Sequence, residues 1–279
     1  MSLTQDIANV VQAANNLTAE VTGKMAEIDK KVNEATSAVP EQIKKSMYVT
    51  SYVDAINGDD SRSGESRSHS KRTIKSVLDS APAGAIIWCA LKDGQEHQIN
   101  NQINGANKTV IFSSWDYTSN KPTIRAVSYL SNGKCVIGTI HQPMAVHCYY
   151  THVSIDDYLD ADSPLDTYSR GFVSNGDRPA NPTVTVSAGN ITHAGFPLLH
   201  AAGRPTEAAV LLSNCTYTRR ASKRTMPRLV ECAGGSLYLS AFSLSNATHK
   251  DLVGVVRDKY GVVTNWNSNY DLAAAIDGV

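Results

Sequence analysis

The sequence predicts a mainly β chain preceded by a long N-terminal α-helix, and three observations carry that reading. Apolar residues recur at alternating steps of four and three across the N-terminal region, the spacing of one helix face. From Tyr48 onward the pattern changes to short apolar runs rich in Val and Ile. Asn, Gly, Ser and Pro separate those runs and punctuate the turns between them.

The helix comes first. Leu3, Ile7, Val10, Ala14, Leu17, Val21, Met25, Ile28, Val32, Ala35 and Val39 are spaced by 4, 3, 4, 3, 4, 4, 3, 4, 3 and 4. This is a heptad seam, interrupted once by an added four-residue step across Gly23, where a left-handed supercoil unwinds locally. The other faces are polar. At 1.5 Å per residue the segment is a rod of roughly 55 Å, too thin to be stable alone, so it needs partners. Ile7, Val21 and Val32 at a-type positions, with Val10 and Ile28 at d-type positions, place β-branched residues on both sides of the seam and favour a trimer over a dimer. An amphipathic helix packed on its own globular domain is the alternative. Pro40 stops the helix or starts a short new one over 40–46. The expected organisation is a coiled-coil stalk at 1–39, a linker at 40–51, a β domain at 52–249 and a C-terminal hairpin or tail at 250–279.

After the boundary, 61–71 is composed almost wholly of Ser, Arg, Gly and Glu and reads as an exposed, mobile turn. Residues 73–81 form one short amphipathic helix, closed by Pro82-Ala83-Gly84, and 85–91 follow as a buried strand. Further strands are expected at 109–112, 122–125, 135–138, 145–149, 183–186, 209–212, 228–232 and 236–239, with turns at Ser131-Asn132-Gly133, Ala188-Gly189-Asn190 and Ala233-Gly234-Gly235. Ser213-Asn214-Cys215-Thr216 and Ser245-Asn246-Ala247-Thr248 echo one another, as stacked corners would. A hairpin near Lys259-Tyr260-Gly261 and a short helix from Tyr270 close the chain. A β-sandwich produces much of the same strand pattern.

The order Tyr52-Val53-Asp54, Asn57-Gly58-Asp59-Asp60, Gly64, Thr73-Ile74, Val77-Leu78, Pro82, Gly84, Ile86-Ile87 resembles the entry to the right-handed parallel β-helix of pectate-lyase-like proteins. The resemblance implies a short solenoid whose first rung is capped by the helix. Residues 17–29 resemble the coiled-coil stalks of tailed-bacteriophage tail fibre and tailspike proteins, which commonly lead into a β-helix. Together the two cover roughly the first 95 residues. They imply a homotrimer in the virion, assembled in the host bacterial cytoplasm. It would dock onto other tail, baseplate or fibre proteins and could contact host cell-surface polysaccharide. The expected role is a non-enzymatic structural or adhesive subunit. A polysaccharide depolymerase, and a purely structural collar, neck or tail connector, are the alternatives.

Composition excludes other classes. The 279 residues carry 26 basic and 26 acidic side chains, a net charge of +0 and a pI ≈ 7.1, so no global field draws in a nucleic acid. Neither a secretion signal nor a membrane-spanning apolar run is expected. Cys89, Cys135, Cys148, Cys215 and Cys232 are odd in number and widely spaced, which reads as reduced, buried thiols.

Chemistry is sparse. Asp156, Asp157, Asp160, Asp162 and Asp166 supply carboxylates, but in a segment expected to be solvated and poorly positioned; Glu207 and Glu231 stand alone, so no catalytic pair is assigned. Arg219, Arg220, Lys223, Arg224 and Arg228 form a basic loop that could bind acidic polysaccharide, remain solvated, or meet the Asp156–Asp166 segment. His141, His147, His152, His193 and His200 lack metal-ligand spacing. Asp54, Asp59 and Asp60 around Gly58 suit a hydrogen-bonded polar turn better than a calcium loop, so neither a metal nor a cofactor is expected.

Overall fold

The computed structural model of the chain describes residues 3–160, 162–166, 171–175, 181–201, 206–223, 229–232, 235–245 and 266–268. The chain divides into two units, Met1–Ser46 and Met47–Val279.

The first unit is helical. Helix α1 spans Leu3–Met47, with Pro40 inside it. Proline there removes one backbone donor and crowds the carbonyl four residues before it, yet the helix runs on to Met47. The residues expected as a linker, 40–51, are therefore helix and then strand, with β1 starting at Tyr48. Polar faces of α1 are laced by Lys31 to Glu27 at 2.7 Å and by the Thr18 and Thr22 hydroxyls, which donate to the carbonyls of Ala14 and Thr18 at 2.8 Å. The seam residues Leu3 to Val39 are all exposed on the single chain.

The second unit is mainly β, built as parallel ladders. The first joins β1 (Tyr48–Val53), β2 (Ile86–Leu91), β5 (Thr109–Ser114), β10 (Ala145–Tyr149), β13 (Thr183–Ser187), the first half of β16 (Thr206–Arg219), β18 (Gly235–Ser245) and β19 (Trp266–Ser268). The second joins β3 (Glu96–Ile99), β6 (Thr123–Ala126), β11 (His152–Ile155), β14 (Asn190–His193) and the second half of β16. β4 (Gln102–Asn104), β9 (Thr139–His141), β12 (Val173–Ser174), β15 (Leu199–Ala201) and β17 (Val230–Cys232) make the third. The chain visits the three in fixed order: β2, β3, β4, then β5, β6, β9, then β10, β11, β12, then β13, β14, β15.

Side-chain alternation follows from this pairing. Parallel register stacks like on like, so Ile87, Val110, Val146, Val184 and Val210 form one buried column and Cys89, Phe112, Cys148, Val186 and Leu212 the next. The third ladder contributes Ile103, Ile140, Val173, Leu199 and Val230 to the same core. Four of the predicted buried thiols, Cys89, Cys135, Cys148 and Cys215, are free and buried; burial pushes Cys148 up to about 12 and raises Cys89 and Cys215. The side chain of Cys232 lies outside the described residues.

Several expectations change. The predicted strand at 135–138 is not part of a parallel ladder; β8 (Lys134–Ile137) pairs antiparallel with β7 (Ser128–Ser131). Asn132 (φ 51) and Gly133 (φ 73) make its two-residue turn, the left-handed pair such a tight hairpin requires. The loop at 61–71 is pinned rather than mobile. Tyr52 N–H donates to Gly64 at 2.8 Å, Lys71 N–H to Tyr52 at 2.9 Å, and Asp54 N–H to Lys71 at 2.9 Å, so the loop covers the open edge of β1.

Helix α2 (Ile74–Ser80) forms as predicted, with the Thr73 hydroxyl accepting from Ser76 N–H and Ile74, Val77 and Leu78 buried. The echo around Asn214 is out of register: Thr216 lies opposite Ser245, and 246–248 fall outside the described residues. Asn214 (φ 51) does occupy a corner, stacked with Ala188 (φ 54) and Tyr150 (φ 52). The C-terminal hairpin and helix also lie outside the described residues, except for β19, which pairs parallel with β18. Among the described residues, no helix is long and apolar enough to cross a membrane.

Candidate functional site: a polar cleft beside α2

The turn after β1 is organised by Asp54, which is 4 % exposed. Its carboxylate accepts from the N–H groups of Ile56 (3.1 Å) and Asn57 (2.9 Å), from Gln95 Nε2 (2.9 Å) and from Lys92 Nζ (2.7 Å). Burial alone would raise its pKa; the Asn57 amide, the Lys92 ammonium, the Gln95 amide and the Ile56 amide together outweigh it and hold the carboxyl well below the usual range. The acidic turn is thus a hydrogen-bonded structural knot, as its sequence suggested.

Asp60 continues the turn. It accepts from the N–H groups of Arg72 and Thr73, each at 2.9 Å, and from the Thr73 hydroxyl at 2.8 Å. Arg72 Nε donates to the Gly58 carbonyl at 3.0 Å, and Lys75 pairs with Asp79 one helical turn on. Across from them Glu96 on β3 accepts from Gln98 at 2.8 Å and from Arg125 at 3.3 Å. Asp60, Arg72, Thr73, Lys75, Glu96 and Gln98, with Ala55, Asn100, Asn101 and Ile103, line a cleft of ≈ 460 Å³.

Its chemistry is that of hydrogen bonding. Amide, hydroxyl, guanidinium and ammonium groups offer donors and acceptors together, the mixture a polyhydroxylated ligand needs. Asp60 and Glu96 both already hold donors, so both serve as acceptors that fix the walls. Sequence reading missed this cleft because its walls come from segments that only the ladders bring together; Asp60-to-Thr73 spacing gave no local signal.

The carboxylates at 156–166 are better placed than expected. Asp156 receives Arg125 Nε at 2.9 Å and Nη2 at 3.2 Å, and these bonds hold the guanidinium firmly charged. Asp157 accepts the Ser222 hydroxyl at 2.7 Å and Lys223 N–H at 2.8 Å. Asp160 accepts from Asp162 N–H and the Ser163 hydroxyl, and Asp166 lies 3.7 Å from Lys134. Asp156, Asp157 and Asp166 are therefore not the solvated, unplaced side chains expected, because ladder neighbours and the 220–223 turn supply donors that sequence distance hid, whereas Asp160 and Asp162 are exposed, as expected.

The basic loop meets this segment within the chain. Lys223 Nζ donates to the Leu159 carbonyl at 2.6 Å, Arg220 N–H donates to His193, and Arg219 ends β16; Arg224 and Arg228 lie outside the described residues. The histidines are dispersed: His147 faces Thr185 at 3.0 Å, His152 accepts Asn190 N–H, His193 meets Tyr217 Oη at 3.0 Å, and His141 and His200 sit on different strands of the third ladder. Among the described residues, no group of three or more His, Cys, Asp or Glu is placed to hold a metal ion.

Two structural residues escaped the sequence reading. Asp93 gathers Ser114, Trp115 and Thr118; burial would raise its pKa, but the Thr118 and Ser114 hydroxyls and the Thr118 and Asp116 amides outweigh it and lower it, and the Asp93-Gly94 pair was the available turn signal. Buried Lys108 closes α2 by donating to the Leu78 carbonyl at 2.6 Å. Comparison of the sequence with protein-family models and with curated proteins finds no match to either.

Proposed function

We propose that the chain is a structural and adhesive subunit of a bacteriophage tail fibre or spike, a homotrimer that attaches to the virion and contributes to host-surface recognition. Each passage through the three ladders, made in constant order, is read as one turn of a right-handed parallel β-helix, the hand that parallel crossovers adopt. Helix α1 is read as one strand of a trimeric coiled coil that joins three chains. The observation that carries this reading is an exposed eleven-position heptad seam on a helix that is followed directly in sequence by the first strand of a parallel stack. The polar cleft beside α2 and the Arg219–Lys223 turn supply the hydrogen-bonding groups for contact with a surface polysaccharide.

Light scattering on the full chain at several concentrations tests the assembly. The mass expected is three chains, falling to one when Val21→Asp and Ile28→Asp are combined in the seam. A wild-type mass of one chain throughout overturns the reading. Binding to bacterial surface polysaccharides, compared between the trimer and a Gln98→Ala variant, tests the adhesive part.

A further inference from the structure

Two tyrosines stand on the turns that join the first ladder to the second. Tyr117, between β5 and β6, and Tyr150, between β10 and β11, are 53 % and 46 % exposed. Their rings meet edge to face with centroids 5.3 Å apart. Both residues hold a left-handed backbone, φ 55 and φ 52, which Asn or Gly adopts at less cost, so the turns themselves do not call for aromatic rings. The Tyr117 turn is pinned: Asp93 accepts the Thr118 N–H at 2.9 Å and the Ser114 hydroxyl at 2.7 Å, and that hydroxyl accepts Tyr117 N–H at 2.7 Å. Lys121 Nζ lies 5.7 Å from the Tyr150 ring centre and donates to the Ala188 carbonyl at 2.6 Å.

The outward face of the second ladder begins beside these groups. Tyr150 is two residues before His152, the first of β11, and Lys121 two before Thr123, the first of β6. From β6 to β16 every outward position of that ladder is polar, and half are threonine: Thr123, Thr192, Thr216 and Thr218. All of these positions are exposed or half-buried except Ser154, which is 9 % exposed. Among the described residues, the hydroxyls of Thr123, Thr192 and Thr218 have no hydrogen-bond partner. The few charges are already engaged. Arg125 is tied to Asp156 at 2.9 and 3.2 Å, and burial, with Lys121 nearby, pushes the His152 imidazole down, toward its neutral form.

We propose that the Tyr117–Tyr150 pair and the threonine rows beside it form a second glycan site, apart from the cleft, for an uncharged surface polysaccharide, an inference that rests on the adhesive reading above. Charge and surface chemistry select that occupant. A nucleic acid or a strongly acidic chain needs unpaired cations, and none stands on these rows. A protein partner needs an apolar centre, which the threonine rows do not offer. A pyranose carries both halves of what is displayed: C–H faces that the negative face of an aromatic ring attracts, and hydroxyls that donate and accept as threonine hydroxyls do. Neighbouring strands lie ~4.8 Å apart, so successive rows are spaced close to the length of one pyranose unit.

The test is retention of the full-length chain on an array of structurally defined bacterial surface polysaccharides, neutral and acidic, with the thermal midpoint of every variant measured alongside. Neutral polysaccharides are expected to be held, and Tyr150→Ala to weaken them about tenfold while Tyr150→Phe, which keeps the ring, stays within about twofold of the parent. Thr192→Val removes one hydroxyl from a half-buried strand position and is expected to weaken binding several-fold at an unchanged midpoint, so it carries the test if Tyr150→Ala disturbs the fold. Binding that Gln98→Ala abolishes but Tyr150→Ala and Thr192→Val leave intact overturns this inference and keeps the cleft. Retention of acidic polysaccharides alone, lost as salt is raised, also overturns it. No retention of any polysaccharide by the unsubstituted chain overturns both this inference and the adhesive reading.

Discussion

The backbone N–H of Lys223 donates to Oδ2 of Asp157 at 2.8 Å while its ammonium donates to the Leu159 carbonyl at 2.6 Å. One lysine therefore ties the turn after β16 to the segment after β11 through two bonds of different kinds. Asp157→Ala removes the acceptor of both Lys223 N–H and the Ser222 hydroxyl, and is expected to cost about 1–3 kcal/mol. Lys223→Met keeps the backbone bond and is expected to cost less than Asp157→Ala. Urea midpoints of the two variants check the order.

Asp54 sets an acid limit on the fold. Its folded pKa lies below the unfolded value of about 3.9, so its stabilisation is full above that pH and is lost as pH falls through the folded value. Asp54→Asn is expected to lower stability at pH 7 and to flatten the fall in melting temperature below about pH 4. An equally steep acid fall in the variant would locate the acid sensitivity elsewhere.

Gly138 sits where β8 hands over to β9, and a Cβ there would overlap the Ile99 carbonyl of the preceding turn of chain. The obstacle is backbone held in the β3–β6 ladder, so it cannot swing aside as a side chain would. Gly138→Ala is expected to destabilise by at least about 1–3 kcal/mol or to prevent folding, read from soluble yield and thermal midpoint.

Ala188 holds the left-handed conformation at a corner where Asn214 occupies the stacked position. A Cβ disfavours that conformation by about 1 kcal/mol, and glycine removes the penalty. Ala188→Gly is therefore expected to raise stability by up to about 1 kcal/mol, less the entropy that glycine adds to the unfolded chain. A lower thermal midpoint would show that the methyl group packs usefully.

The sequence alone determined what depends on neighbours along the chain. Helix α1 was legible because its seam repeats every three or four residues, and α2 because Ile74, Val77 and Leu78 share one face. Strands β2, β5, β10 and β13 were legible as Val- and Ile-rich runs, and the hairpin turn as Asn132-Gly133. Strands as short as β4, β9 and β12 were not, because three residues carry too little periodicity to separate strand from loop. Tertiary structure decided the ladder order, the pinning of 61–71 on β1, and the walls of the cleft. Each depends on hydrogen bonds between residues far apart in sequence, such as Asp60 with Thr73 or Arg125 with Asp156. Trp88, Ile111 and His147 are scattered in the sequence, and only parallel register, which sets Trp88 beside Ile111 and Ile111 beside His147, gathers them into one surface.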